Sequence, residues 1–132
     1  QKEKNESLKL TDKNMNRLMF SQKSAVNLIN DSIKYCEKNG GGFTASTFMK
    51  SINMYNLAGV ISDNVEIIGL RPGERLNEKL ISQKELKYTY IEDDLILLKK
   101  EPNPNDNKLE QEYSSENADK MSLQEMLELI NE

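Results

Sequence analysis

Val65-Glu66-Ile67-Ile68-Gly69-Leu70 runs directly into Arg71-Pro72-Gly73-Glu74. The first six residues are rich in β-branched side chains, with Asp63-Asn64 before them and Pro72-Gly73 after, which predicts a short strand closed by a tight turn. Pro at the second turn position and Gly at the third suit a type II turn, because Gly accepts positive φ. Downstream, Leu76 and Leu80 are spaced by four, which predicts a short helix over 74–81. Tyr88 to Ile91 and Leu95 to Leu98 flank Glu92-Asp93-Asp94 as the arms of a hairpin would, and 101–107, with two prolines and three asparagines, reads as a loop. Ser122 and Glu125 form a capping box ahead of Leu123, Met126, Leu127 and Ile130, so a final helix is expected over 122–131.

Upstream of the same stretch, Ala25, Val26, Ile29, Ile33 and Cys36 recur at spacings of three and four between Gln22 and Asn39. That is one face of an amphipathic helix, capped by Ser21 and ended by Gly40-Gly41-Gly42. Met15 to Phe20 reads as a short strand and Phe43 to Ala45 as another. Ser51 to Ile61 reads as a strand end followed by a short helix carrying Met54, Leu57, Ala58 and Ile61. Gly59 weakens that helix by about 1 kcal/mol relative to Ala. Residues 1–9 are a polar lead-in, and 10–132 are expected to form one α+β domain without internal repeats.

The 132 residues are 36% hydrophobic, 30% charged and only 6% aromatic, so the expected core is thin and much of the surface is Lys, Glu and Asn. A net charge of −4 argues against nonspecific nucleic-acid binding, which needs a cationic surplus to displace counterions from phosphates. With no histidine, the commonest general base and metal ligand is missing. With Cys36 alone there is no intrachain disulfide and no cysteine-rich metal site. No apolar run reaches 18 residues, so no membrane span is expected. The chain starts at Gln1 rather than Met, as a fragment or processed product would, and a cytoplasmic setting is the default reading.

Three residues stand out chemically. Arg71 offers paired donors that match phosphate oxygens, and Glu74, across the rigid turn, can accept from sugar hydroxyls. From spacing alone, a tight turn with a surface ion pair is the commoner outcome. Arg17 sits inside the apolar segment Met15 to Phe20, where burial costs several kcal/mol without satisfying partners. Strand alternation offers an alternative, placing Arg17 and Met19 on a solvent-facing side. Glu92-Asp93-Asp94 reads as a solvated hairpin tip rather than a calcium loop, and Cys36 as a core residue of its helix.

Taken in order, these pieces resemble a known family. The run Leu10-Thr11-Asp12 to Met15-Asn16-Arg17-Leu18-Met19-Phe20 resembles the segment Thr-Asp-x-x-Met-Thr-Arg-Phe of nucleotide-sugar 4,6-dehydratases. Ser51 to Ala58 is similar to their Ser-Met-Lys-Ile-x-Asp-Leu-Ala. Ile67 to Glu78 is similar to their Ile-Gly-Ile-Arg-Pro-Gly-Glu-Lys-Leu-His-Glu. Tyr113-Ser114-Ser115 to Asn117, followed by Ser122 to Ile130, resembles the tail of the capsular-polysaccharide type. The likeness runs from Leu10 to the end, and four blocks in order are far more specific than any one of them.

These proteins are extended short-chain dehydrogenase/reductases. The resemblance implies the small C-terminal domain that closes over UDP-N-acetylglucosamine, without the Rossmann domain that binds NADP. Carried over by position, Arg17 and Arg71 would contact the UDP diphosphate and Glu74 the ribose. The implied reaction oxidises C4, removes water across C5 and C6, and returns hydride to C6, with C5 inverted in the capsular type. The chain departs from the family in lacking Gly-x-Gly-x-x-Gly and Tyr-x-x-x-Lys; Tyr35 and Lys38 are three apart, and Asn77 replaces the usual histidine. It is therefore expected to be catalytically incomplete alone, with a Rossmann-bearing half supplied in cis or trans; the family often assembles into larger rings, and a homo-oligomer is one of the states the resemblance allows. A non-catalytic interaction module derived from the same family is the alternative, since the two amphipathic helices offer surfaces for a partner.

Overall fold

The computed structural model describes residues 7–101 and 105–131. In chain order its elements are β1 (Leu8–Leu10), β2 (Asn16–Met19), α1 (Gln22–Asn39), β3 (Phe43–Thr47), β4 (Lys50–Asn53), α2 (Met54–Ile61), β5 (Val65–Ile67), β6 (Lys79–Ile81), a single 3-10 turn at Leu86–Tyr88, β7 (Thr89–Glu92), β8 (Leu95–Lys99), β9 (Asn107–Lys108), β10 (Tyr113–Ser114) and α3 (Leu123–Asn131). The fold is α+β, and its residues divide into two compact units.

The first unit holds residues 1–19, 50–78 and 114–132. Two short ladders frame it. β1 runs parallel to β5, with Leu8 opposite Val65 and Leu10 opposite Ile67. β2 runs antiparallel to β4, with Arg17 opposite Ile52 and Leu18 opposite Ser51. Met15, Ile52, Ala118 and Met126 are buried here. Asn53 ends β4 and accepts from the Asn56 amide, so one residue both closes a strand and caps α2. The buried serines do what an apolar residue cannot. The Ser51 amide donates to the Asp119 carbonyl and its carbonyl accepts from Met121, while Ser51 Oγ donates to the Ser115 carbonyl. The tail is thus sewn to β4 by backbone bonds that a side chain of different shape would break.

The second unit holds residues 20–49 and 79–113. Its sheet has the order β3-β8-β7-β9, antiparallel throughout. β8 is central, and its Leu95, Ile96 and Leu97 are all buried, so the strand reads as an apolar run rather than an alternation. Asp93 takes φ 51 in the turn joining β7 to β8, a conformation Asp tolerates better than bulky residues. Ile81, Ile96 and Leu109 form a core cluster with Leu80, Leu86, Ile91 and Tyr113 against it. Lys99 is nearly buried between the rings of Tyr35 and Tyr90 and pairs with Asp106 at 3.1 Å.

α1 matches its expected bounds, with Ser21 Oγ accepting from the Ser24 amide and Gly40 ending it at φ 80. Its apolar stripe, however, does not face the sheet. Val26, Ile29 and Ile33 are 56%, 59% and 52% exposed, and Cys36 is exposed rather than a core residue. The half-buried positions Ala25, Leu28, Ser32 and Tyr35 also recur at helical spacing, and Tyr35 packs edge-on to Phe43 at 4.9 Å. The helix therefore docks on β3 through a mixed face and leaves its more apolar one open.

The helix expected over 74–81 does not form. The Leu76 carbonyl accepts from the Asn16 amide, and the Glu78 amide and carbonyl both bond Ser115. Leu80 and Ile81 join the core of the second unit instead. Tertiary partners outcompete a helix of about two turns whose nucleation is itself unfavourable. The strand expected over 65–70 is present but stops at Ile67.

α3 begins with the expected capping box: the Ser122 amide donates to Glu125 Oε2 at 2.8 Å and the Glu125 amide to Ser122 Oγ at 3.3 Å. Glu125 also pairs with Lys50 of β4 at 2.5 Å. The Lys50 ammonium, aided by the Ser122 amide and hydroxyl, holds the Glu125 carboxyl down at about 2 from an ordinary 4.5. A depressed carboxylate contributes stability above its unfolded value and loses it as pH falls through the folded one. Thermal melts between about pH 5 and pH 2 should therefore show a decline in Tm that Glu125→Gln makes shallower. Equal acid sensitivity in the two proteins would remove this pair from the account.

Candidate functional site

The strand-turn motif at 65–74 builds an exposed loop in the first unit. Glu74 N–H donates to the Arg71 carbonyl at 3.0 Å and Gly73 sits at φ 83, closing the expected turn. The Glu74 carboxylate then ties the turn in two directions. Oε2 accepts from the Arg71 amide at 3.1 Å, and Oε1 from the buried Thr11 hydroxyl at 3.1 Å. Glu74 thus meets Arg71 through its backbone, and the surface ion pair that spacing alone suggested is not what holds the turn.

Arg17 holds the other side of this loop. Its side chain is only 19% exposed, so the solvent-facing alternative does not apply. Nη1 donates to the carbonyls of Asn16 at 2.7 Å and Leu76 at 3.1 Å, Nη2 to the Arg75 carbonyl at 3.1 Å, and Nε lies 3.3 Å from Glu78 Oε1. A guanidinium has five N–H donors in a fixed plane, and four of these contacts account for four of them. The cost of burying the charge is met by three carbonyl dipoles and one carboxylate.

Arg17, Glu74 and Arg71 therefore belong to one loop, but in different states. Arg17 is engaged along the loop's backbone. Glu74 accepts one hydrogen bond on each oxygen, leaving a second lone-pair direction on each. Arg71 is exposed, and its guanidinium has no partner among the described residues. Arg75, exposed on the same loop, likewise has a guanidinium without a partner there. Sequence reading passed over Arg75, and the spacing Arg71-x-x-x-Arg75 was its only signal. Ser115 was also missed as a support: buried, it bonds Glu78 twice and donates to the Asn16 carbonyl at 3.0 Å.

Gly40-Gly41-Gly42 is the glycine-rich run, and it follows the C-terminus of α1, where the carbonyl end of the helix repels a pyrophosphate. Among the described residues no cluster of His, Cys, Asp or Glu is arranged to hold a metal, and no helix is long and apolar enough to cross a membrane.

A profile described as polysaccharide biosynthesis protein matches residues 1–100. The chain belongs to the polysaccharide biosynthesis protein family. Among solved structures, this family member is similar to Pen from Bacillus thuringiensis, seen by X-ray crystallography, with a TM-score of 0.77 and 26% identity. The match covers 98% of the chain but 41% of Pen, so the chain spans less than half the length of that relative. No curated protein matches it.

The geometry separates the two arginines experimentally. Arg17→Ala should destabilise the chain by about 2–4 kcal/mol, because several backbone carbonyls and a carboxylate lose a charged partner together. Arg71→Ala should stay within about 0.5 kcal/mol of the parent. Urea unfolding followed by circular dichroism measures both, and equal losses would contradict the division of roles.

Proposed function

We propose that this chain is the UDP-sugar-binding portion of a UDP-N-acetylglucosamine 4,6-dehydratase acting in surface polysaccharide biosynthesis. The observation that carries this reading is an exposed Arg71 guanidinium, without a partner among the described residues, on a loop held by Arg17 and Glu74. Family membership supports the polysaccharide setting. In this reading Arg71 takes the diphosphate, since a planar fork matches paired phosphate oxygens. Arg17 sets the loop's shape and offers its one remaining Nη2 proton to the same anion. Glu74 uses its unfilled lone pairs to accept from the ribose hydroxyls.

Binding energy is well used here because the loop is ordered before ligand arrives, so little side-chain and backbone freedom is lost on association. The redox steps at the sugar are assigned to a separate NADP-binding half, in cis or in trans, because among the described residues the glycine-rich run lies at the carbonyl end of α1, the wrong pole for a pyrophosphate. What this chain contributes is orientation: a UDP held at its diphosphate and ribose presents the sugar ring at a fixed distance from the loop.

Calorimetric titration of UDP tests the reading. Saturable binding should weaken roughly 10- to 150-fold in Arg71→Ala, the loss of one charged hydrogen-bonding group worth about 1.5–3 kcal/mol. A folded chain that binds UDP equally well with and without Arg71 would defeat it.

One observation favours a second reading, a protein-interaction module of the same family. α1 presents Val26, Ile29 and Ile33 largely exposed along one face, a contiguous apolar stripe of the kind that partner surfaces cover. In that reading, association with a partner survives Arg71→Ala and is insensitive to UDP. Under the first reading UDP strengthens it.

A further inference from the structure

A cavity of about 380 Å3 opens in the first unit. Of the residues that bond the 71–78 loop, only Asn16 lines it. Its composition differs from an ordinary surface dimple in three respects. Among the described residues no carboxylate lines it. Two lysines do, Lys13 and Lys120, and neither is paired with an acid among the described residues. Lys120 Nζ rests on three neutral oxygens, the Ser115 carbonyl at 2.9 Å, the Glu116 carbonyl at 3.1 Å and Ser51 Oγ at 3.3 Å, while Lys13 Nζ has no partner among the described residues. A positive charge held in place by neutral dipoles keeps its field available to an incoming anion.

The second respect is the amide lining. Asn16 and Asn53 are fixed: Asn16 Nδ2 donates to Asn77 Oδ1 and the Asn14 carbonyl, and Asn53 Nδ2 donates to the Lys13 carbonyl while its Oδ1 caps α2. They form a frame on which two further amides stand unengaged. The side chains of Asn14 and Asn56 have no partner among the described residues, and neither has the Tyr55 hydroxyl. Each free amide offers a donor pair and an acceptor, the complement of a vicinal hydroxyl pair. The third respect is an apolar wall of Met121 and Met126, soft thioether side chains that adapt to the C–H face of a ring.

We infer that this cavity binds a small sugar carrying one anionic group, a phosphate or a carboxylate. The volume lies at the lower end of small-molecule sites, on the order of 300–1,000 Å3, as a monosaccharide requires. The two ammonium groups take the anion, the free amides and the Tyr55 hydroxyl take sugar hydroxyls, and the methionines take the ring face. This inference stands apart from the nucleotide reading, because it uses none of Arg17, Arg71 or Glu74.

The test is titration of the full 132-residue chain with glucose 1-phosphate, glucuronate, glucose and inorganic phosphate, read by calorimetry and by backbone amide shifts. At least one of the two acidic sugars should saturate, and which one does identifies the anion. Glucose and inorganic phosphate should each bind at least roughly tenfold more weakly than that sugar, since each lacks one half of the recognised group. Shifts should concentrate at Asn14, Tyr55, Asn56 and Met126. Lys13→Ala and Asn56→Ala, both exposed changes, should each weaken binding at least roughly fivefold, while Lys38→Ala in the other unit leaves it unchanged. Failure of both acidic sugars to bind the folded chain overturns the inference. So does phosphate binding as tightly as the sugar phosphate, or a response confined to residues 71–78.

Discussion

A guanidinium four-fifths buried in a thin core must find acceptors, and Arg17 finds them on the backbone of a loop almost sixty residues further along the chain. The loop depends on that meeting. Carbonyls that turn toward Arg17 cannot point along a helix axis, so 74–81 is drawn out of the helical conformation that Leu76 and Leu80 alone would favour. Once extended, its end is free to leave the first unit as β6 and place Leu80 and Ile81 in another core. One buried cation thus decides both a local conformation and a change of unit.

The same constraint divides labour among charged residues that look alike in sequence. Arg17, Arg71 and Arg75 are chemically equivalent, but among the described residues only the first has its guanidinium engaged by protein acceptors. Glu74 completes the division by closing the turn on the Arg71 backbone and leaving the Arg71 guanidinium outside. A rigid loop carrying unpaired cations is what an anionic ligand meets with least reorganisation. Membership of the polysaccharide biosynthesis protein family supplies the chemical context.

What was legible in the sequence was whatever depends on neighbours in the chain. α1 and α3 were readable to within a residue at their starts because Ser21 and the Ser122–Glu125 box are local signals. The β7–β8 hairpin was readable from two apolar runs around three acids, and the Arg71–Glu74 turn from Pro72 and Gly73. What was not legible depends on long-range partners. Nothing near Arg17 says that its acceptors are the carbonyls of 75 and 76, and nothing near Leu76 says that its carbonyl is already taken. The face of α1 was misjudged for a related reason. Two helical stripes overlap in its sequence, and the one that packs includes Ser32, whose hydroxyl satisfies itself on the Leu28 carbonyl and so can be covered.

The most direct test of the arginine clamp is amide hydrogen exchange across the first unit in the parent chain and in Arg17→Lys, which keeps the charge but not the planar fork. The clamp predicts that the amides of Asn16, Glu74 and Glu78 exchange at least roughly tenfold faster in the variant, while those of Ile96 and Leu97 in the other unit are unchanged. Unaltered protection at Asn16, Glu74 and Glu78 would contradict it, and would mean that the turn and the buried serines hold the loop without Arg17.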